Sequence, residues 1–164
     1  MAEYQGAPWQ RSGETSVAVP TGFATHRVLD SAARRALRAV GRDGGSVEIT
    51  LVNDGEIRRL NRAFRGVGRR TDVLAFPLEI AEAAGGLVGQ IVVSLDTARR
   101  HARRLGVPPL LELRLLVTHG VLHLVGYDDR DPVEATLMHR RERAILTAAG
   151  GTVPAKLWKG LLHG

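Results

Sequence analysis

The segment from Leu110 to Val125 constrains the fold most, because it is apolar on almost every side of a helix yet carries Glu112, Arg114, His119 and His123. A helix that is apolar all round belongs in an interior and not on a surface. The four polar residues make it a poor membrane span, which needs about 20 predominantly apolar residues. The segment therefore reads as the central buried helix of a folded domain, one whose polar side chains must find partners inside. A chain of 164 residues fits one domain with one core. With 44% hydrophobic but only 4% aromatic residues, that core is expected to consist of Leu, Val, Ile and Ala.

The flanking segments supply the layers around this helix. Leu29, Ala32, Ala33, Ala36, Leu37 and Val40 recur at helical spacing from about Thr25, leaving Arg34, Arg35 and Arg38 on a solvated face. Val47, Ile49 and Leu51 alternate as a strand does, and Asn53-Asp54 then offers an N-cap for a short helix over about 55–64, whose apolar face is Ile57, Leu60 and Phe64. Strands are expected near 71–78, where Pro77 suits an edge or a strand end, and over 87–94. Helices are expected over about 96–105 and 132–149, the second opened by Pro132. The predicted class is α/β in the α+β sense: a small mixed sheet covered by helices, with the buried helix in the middle. Residues 1–22 read as a disordered arm, 23–150 as the domain and 151–164 as a tail that adds a short amphipathic turn. The first ten residues lack the basic start and apolar run of a signal peptide, so a cytoplasmic protein without a membrane segment is expected.

The chemistry concentrates in His119-Gly120-Val121-Leu122-His123-Leu124-Val125-Gly126-Tyr127-Asp128-Asp129. Histidines four apart project from one helix face, one turn from each other, so both imidazoles can reach one cation. Gly126 can take the left-handed conformation that ends a helix and doubles the chain back. A carboxylate three residues later then completes a three-donor site with an open position. Asp129 is the first choice for that donor, with Asp128 and Asp131 as alternatives. The chain has no cysteine, so thiolate ligands and disulfides are excluded and His, Asp and Glu remain. His26, His101, His139 and His163 lie outside any motif and read as surface or incidental residues.

This segment resembles the signature of the YbeY endoribonucleases, His-Gly-x-Leu-His-Leu-x-Gly-Tyr-Asp-His, and matches it at every defined position but the last. Leu60-Asn61, Phe64-Arg65-Gly66, the run from Thr71 to Pro77, and Gly89-Gln90-Ile91 agree as well, so the resemblance spans about residues 25 to 150. It implies a single-strand-specific, metal-dependent endoribonuclease acting on ribosomal RNA precursors (16S 3′-end maturation) and in ribosome quality control, with RNA and the small ribosomal subunit as partners. It also implies that His119 and Arg65 belong to the catalytic set. A guanidinium suits two-point binding of a phosphate, and Arg69 and Arg70 would add phosphate affinity. Three departures stand out: Asp129 in place of the third histidine, Gln90 in a stretch where Gly-Asp-Ile is usual, and Ala75 for a serine. A carboxylate is a competent zinc ligand, so one Zn²⁺ at His119, His123 and Asp129 is expected; two His and one carboxylate also suit Fe²⁺ and other divalent ions.

The net charge of +6 fits a polyanionic partner, although nearly all of it is arginine and charge alone is weak support. Two rivals compete. A zinc protease of the metzincin kind places a glutamate base directly after its first histidine, where this chain has Gly120. A ribosome-associated binding factor would use the metal structurally, but structural zinc is normally closed by four protein ligands.

Overall fold

The computed structural model describes residues 22–68, 71–78 and 86–161. In chain order these form α1 (Phe23–Ala39), β1 (Ser46–Val52), α2 (Asp54–Arg65), β2 (Val73–Pro77), β3 (Leu87–Ser94), α3 (Leu95–Leu105), α4 (Pro109–Leu124), α5 (Pro132–Ala148) and a 3-10 turn (Ala155–Gly160). The expected arm, the loop from 79 and the end of the tail fall largely outside the described residues. No helix among the described residues is long and apolar enough to cross a membrane.

The sheet is mixed, as expected, in the order β1-β3-β2. β1 runs parallel to β3, from Val47 opposite Gly89 to Val52 opposite Ser94. β2 is antiparallel to β3, from Val73 opposite Val93 to Pro77 opposite Gly89. Pro77 thus ends an edge strand, where its missing N–H interrupts no central ladder. Alternation divides the side chains between two layers. Leu51, Val73, Ile91 and Val93 enter the main core with α1, α4 and α5. Val52, Leu74 and Val92 meet Ile57 and Leu60 of α2 in a smaller cluster on the other face.

Both strands of the parallel pair hand the chain to a helix at the same end of the sheet, and each helix is capped by the residue before it. Asn53 Oδ1 accepts from the Glu56 amide at 2.8 Å and Ser94 Oγ from the Thr97 amide at 3.2 Å. Asp54 then links the two helix starts. Its carboxylate accepts from Ser94 Oγ and Thr97 Oγ1, both at 2.7 Å, and from Arg100 Nη1 at 2.6 Å. Its amide donates to Asp96 at 3.0 Å. Burial works against a charge on Asp54, but the hydrogen bonds from Arg100, Thr97 and Ser94 outweigh it and hold the carboxyl well below the usual carboxylate range.

α4 crosses the main face of the sheet and is buried from Leu115 to Leu122. Two glycines set its approach. A Cβ at Gly120 would stand 3.0 Å from Ile91 Cγ2, and one at Gly89 would stand 2.6 Å from Leu124 Cδ2 and 2.7 Å from the Phe76 carbonyl oxygen. Two of the polar residues buried on α4, Glu112 and His119, are paired across elements. His101 of α3, expected at the surface, is buried instead and faces Glu112 of α4 at 3.3 Å. The correction has a local cause: His101 falls on the same side of α3 as the buried Ala98 and Ala102, so the helix turns it inward. The tail also joins the core, through buried Leu157 and Leu161.

Two stability outcomes follow from these contacts. Gly89→Ala is expected to cost about 2 kcal/mol in urea denaturation, because one of its neighbours is backbone that cannot give way. Asp54→Asn is expected to cost about 1–2 kcal/mol at pH 7. Since the folded pKa of Asp54 is depressed, its contribution is complete above the unfolded carboxylate value of about 4 and is lost as the pH falls toward the folded value. The gap between wild type and Asp54→Asn should therefore close on acidification below about pH 4, and a gap independent of pH would contradict the assignment.

Candidate metal centre

The last two turns of α4 present His119, which is buried, and His123, which is half-buried, with ring centroids 4.5 Å apart and planes nearly perpendicular. Gly126 follows at φ 102°, in the left-handed region. The chain reverses there, with the Tyr127 amide donating to the Leu122 carbonyl at 3.0 Å. The reversal carries Asp129 back over the histidines. Its Oδ2 lies 3.3 Å from His119 Nε2 and its Oδ1 3.7 Å from His123 Nε2, while the two Nε2 atoms are 3.0 Å apart. These donors all lie within 4.8 Å of one another. Asp128 and Asp131 are engaged elsewhere. Asp128 pairs with the Arg130 guanidinium at 3.1 Å, and Asp131 caps α5 by accepting from the Val133 amide at 3.0 Å.

The far side of each ring fixes its tautomer. His119 Nδ1 donates to Glu142 Oε1 at 2.6 Å, and His123 Nδ1 donates to the Tyr127 carbonyl at 3.0 Å. Both partners only accept, so each neutral ring keeps its proton on Nδ1 and turns an Nε2 lone pair inward. Two lone pairs and a carboxylate meeting at one point require a cation between them. Without a metal, a proton serves. Burial opposes charge on His119, but hydrogen bonds to Asp129 and Glu142 raise its pKa well above the ordinary histidine value. Burial, followed by the neighbouring charge of His119, lowers that of His123. The donor set fits a divalent ion: ligand atoms about 2.0–2.2 Å from a tetrahedral centre stand roughly 3.3 Å from each other, near the separations seen here.

Glu142 is the site residue that sequence reasoning missed. It lies in Arg140-Arg141-Glu142-Arg143, which reads as a solvated charge run. The available signal was its place on the buried stripe of α5, four residues after Met138 and three before Ile145. Glu142 is fully buried with both oxygens used, since Trp158 Nε1 of the tail donates to Oε2 at 2.7 Å. Arg143 in turn covers the Trp158 ring, its Cζ 4.8 Å from the centroid. The chain from α5 to the 3-10 turn thus braces one imidazole, as carboxylates commonly do behind metal-bound histidines.

A cavity of about 580 Å³ opens over the three donors. Arg65 and Phe64, at the end of α2, line one side, and Arg130 lines the wall that also holds Asp129. Thr71 and Asp72 are buried in its floor, and Asp72 adds negative potential toward His119. Arg69 and Arg70 lie outside the described residues. Of the departures noted in the sequence, Gln90 donates to Glu48 at 2.9 Å across the parallel strands, and Ala75 lines the cavity without the hydroxyl a serine would bring.

A family model described as Endoribonuclease YbeY matches residues 19–150. The chain belongs to the YbeY family. The Endoribonuclease YbeY of Anaeromyxobacter dehalogenans (strain 2CP-C) is 43% identical over 145 residues, covering 88% of this chain and 75% of that protein. The YbeY of Moorella thermoacetica is 39% identical over 141 residues, covering 80% and 90%. A solution structure of a protein from Thermotoga maritima superposes with a TM-score of 0.53 at 27% identity, covering 83% of this chain and 95% of that one. The α+β fold around a buried helix, expected from the sequence, is thus the fold of a YbeY protein.

Removing the brace should loosen the centre before it disturbs the fold. Glu142→Gln is expected to lower metal affinity about 10–100-fold, read by competition with a chromogenic chelator, with the circular dichroism spectrum kept. Asp129→Ala should lose the metal and Asp129→His should keep it; full metal content in Asp129→Ala would rule that residue out as a ligand.

Proposed function

We propose that this YbeY protein is a metal-dependent endoribonuclease that cleaves single-stranded RNA, with His119, His123 and Asp129 as metal ligands and Arg65 as the phosphate-binding catalytic arginine. One observation carries the proposal: three converging donors, each histidine held in its tautomer from behind, face a cavity walled by arginines. Zn²⁺ is the ion this donor set suits best among common choices, with Fe²⁺ satisfied by the same two-His, one-carboxylate pattern. Such an ion would supply Lewis-acid polarisation of the phosphodiester and a lowered pKa for water.

The chain's own residues do the rest. Glu142 and the Tyr127 carbonyl hold the imidazoles so that the ligand geometry costs no reorganisation during reaction. Arg65 is exposed at the cavity wall and makes no ion pair among the described residues, so its guanidinium is available to a phosphate. Arg130 already holds Asp128 and adds charge at the other wall. Gly120, where a protease would carry its base, packs against Ile91 and has no room for a larger side chain. The physiological reading is processing of ribosomal RNA precursors in the cytoplasm and quality control on the ribosome, with residues 23–150 as the catalytic domain and Arg69 and Arg70 adding affinity for the backbone.

Cleavage of a single-stranded RNA should stop on chelation and return with added Zn²⁺. Arg65→Ala should lower the rate about 100-fold or more with metal content unchanged. Arg65→Lys should rescue little, because an ammonium keeps the charge but not the planar two-point geometry. Cleavage that survives both chelation and Arg65→Ala would overturn the mechanism.

A further inference from the structure

We propose that Phe64 is a base-stacking residue, seating one unpaired nucleobase of the RNA while its sequence neighbour Arg65 binds the adjoining phosphate. The inference rests on the nuclease reading and adds to it the residue that would select unpaired RNA. The apolar stripe of α2 begins in the core, where Ile57 and Leu60 are fully buried, and emerges at Phe64, which is 41% exposed. Gly66 takes φ 69° and ends the helix just beyond it, so Phe64 and Arg65 stand together at the cavity wall. Phe64 is exposed, whereas Phe76, Tyr127 and Trp158 are each partly buried.

The ring is held in place and still available. Phe76 of β2 meets it edge to face, with centroids 5.6 Å apart and planes at 75°. Such a contact occupies at most one of its two faces and limits its motion, so a stacking partner would lose little further entropy on binding. A purine or pyrimidine offers a flat, apolar surface of the right kind, and stacking on aromatic side chains tolerates any base. Bases within a duplex are already stacked and paired, and cannot reach the ring without being pulled out. Consecutive residues would thus take the two halves of one nucleotide, Arg65 its phosphate and Phe64 its base.

The test uses the full-length, metal-loaded protein and a short fluorescein-labelled single-stranded RNA. Phe64→Ala is expected to raise KM about ten-fold with metal content unchanged. Phe64→Leu should lose as much as Phe64→Ala, whereas Phe64→Trp should retain affinity, because a π-face is required and not bulk. A series of RNAs with one abasic position moved along the strand should show one position that weakens wild-type binding about ten-fold and has no effect on Phe64→Ala. The proposal is overturned if Phe64→Leu restores the wild-type KM or if the abasic penalty persists in Phe64→Ala. A wild-type protein without metal-dependent RNA cleavage sinks the nuclease reading as well, while a nuclease indifferent to Phe64 sinks only the stacking role.

Discussion

The close seating of α4 on β3 is the constraint on which the rest of the molecule depends. It exists because Gly120 leaves room for Ile91, and Gly89 leaves room for Leu124 beside the Phe76 carbonyl. A helix pressed this far into the interior brings Glu112, Thr118 and His119 out of water, and burial of an unpaired polar group is costly. Thr118 is satisfied within its own helix, donating to the Arg114 carbonyl at 2.8 Å, and the others recruit partners from elsewhere. His101 comes from α3 for Glu112, Glu142 from α5 for His119, and the turn after Gly126 supplies both the Tyr127 carbonyl and Asp129. The candidate metal centre is one case of this pairing.

What was legible in the sequence was whatever a local pattern encodes. The all-round apolarity of Leu110 to Val125 foretold burial, the histidine spacing foretold a shared face, and Asn53 and Pro132 marked helix starts that the backbone confirms. The partners were less legible because they arise from packing between elements distant in the chain. Glu142 looked like one charge among arginines, and only the arrival of α5 beside α4 makes it the acceptor behind His119. His101 was misread for the same reason: its own helix says which way it points, but only α4 supplies the carboxylate it meets.

The choice among Asp128, Asp129 and Asp131 shows a finer limit. All three are close enough in sequence to reach the histidines, and composition cannot separate them. Hydrogen bonding does, because the turn gives Asp128 to Arg130 and the start of α5 takes Asp131 as its cap. A carboxylate spent on ordering the backbone is not available to a cation. The same accounting applies to Asp54, whose carboxylate accepts from Ser94, Thr97 and Arg100 in joining the starts of α2 and α3.

The hydrogen bond from Trp158 to Glu142 has a consequence for how the protein comes into being. The chain is made from its N-terminus, so both histidines and Asp129 emerge before the carboxylate that orients His119, and that carboxylate emerges before the indole that holds it. A nascent chain halted before Glu142 would own all three candidate metal donors yet leave one imidazole without its brace. The brace behind His119 is therefore complete only once the 3-10 turn has been synthesised and has folded back onto α5.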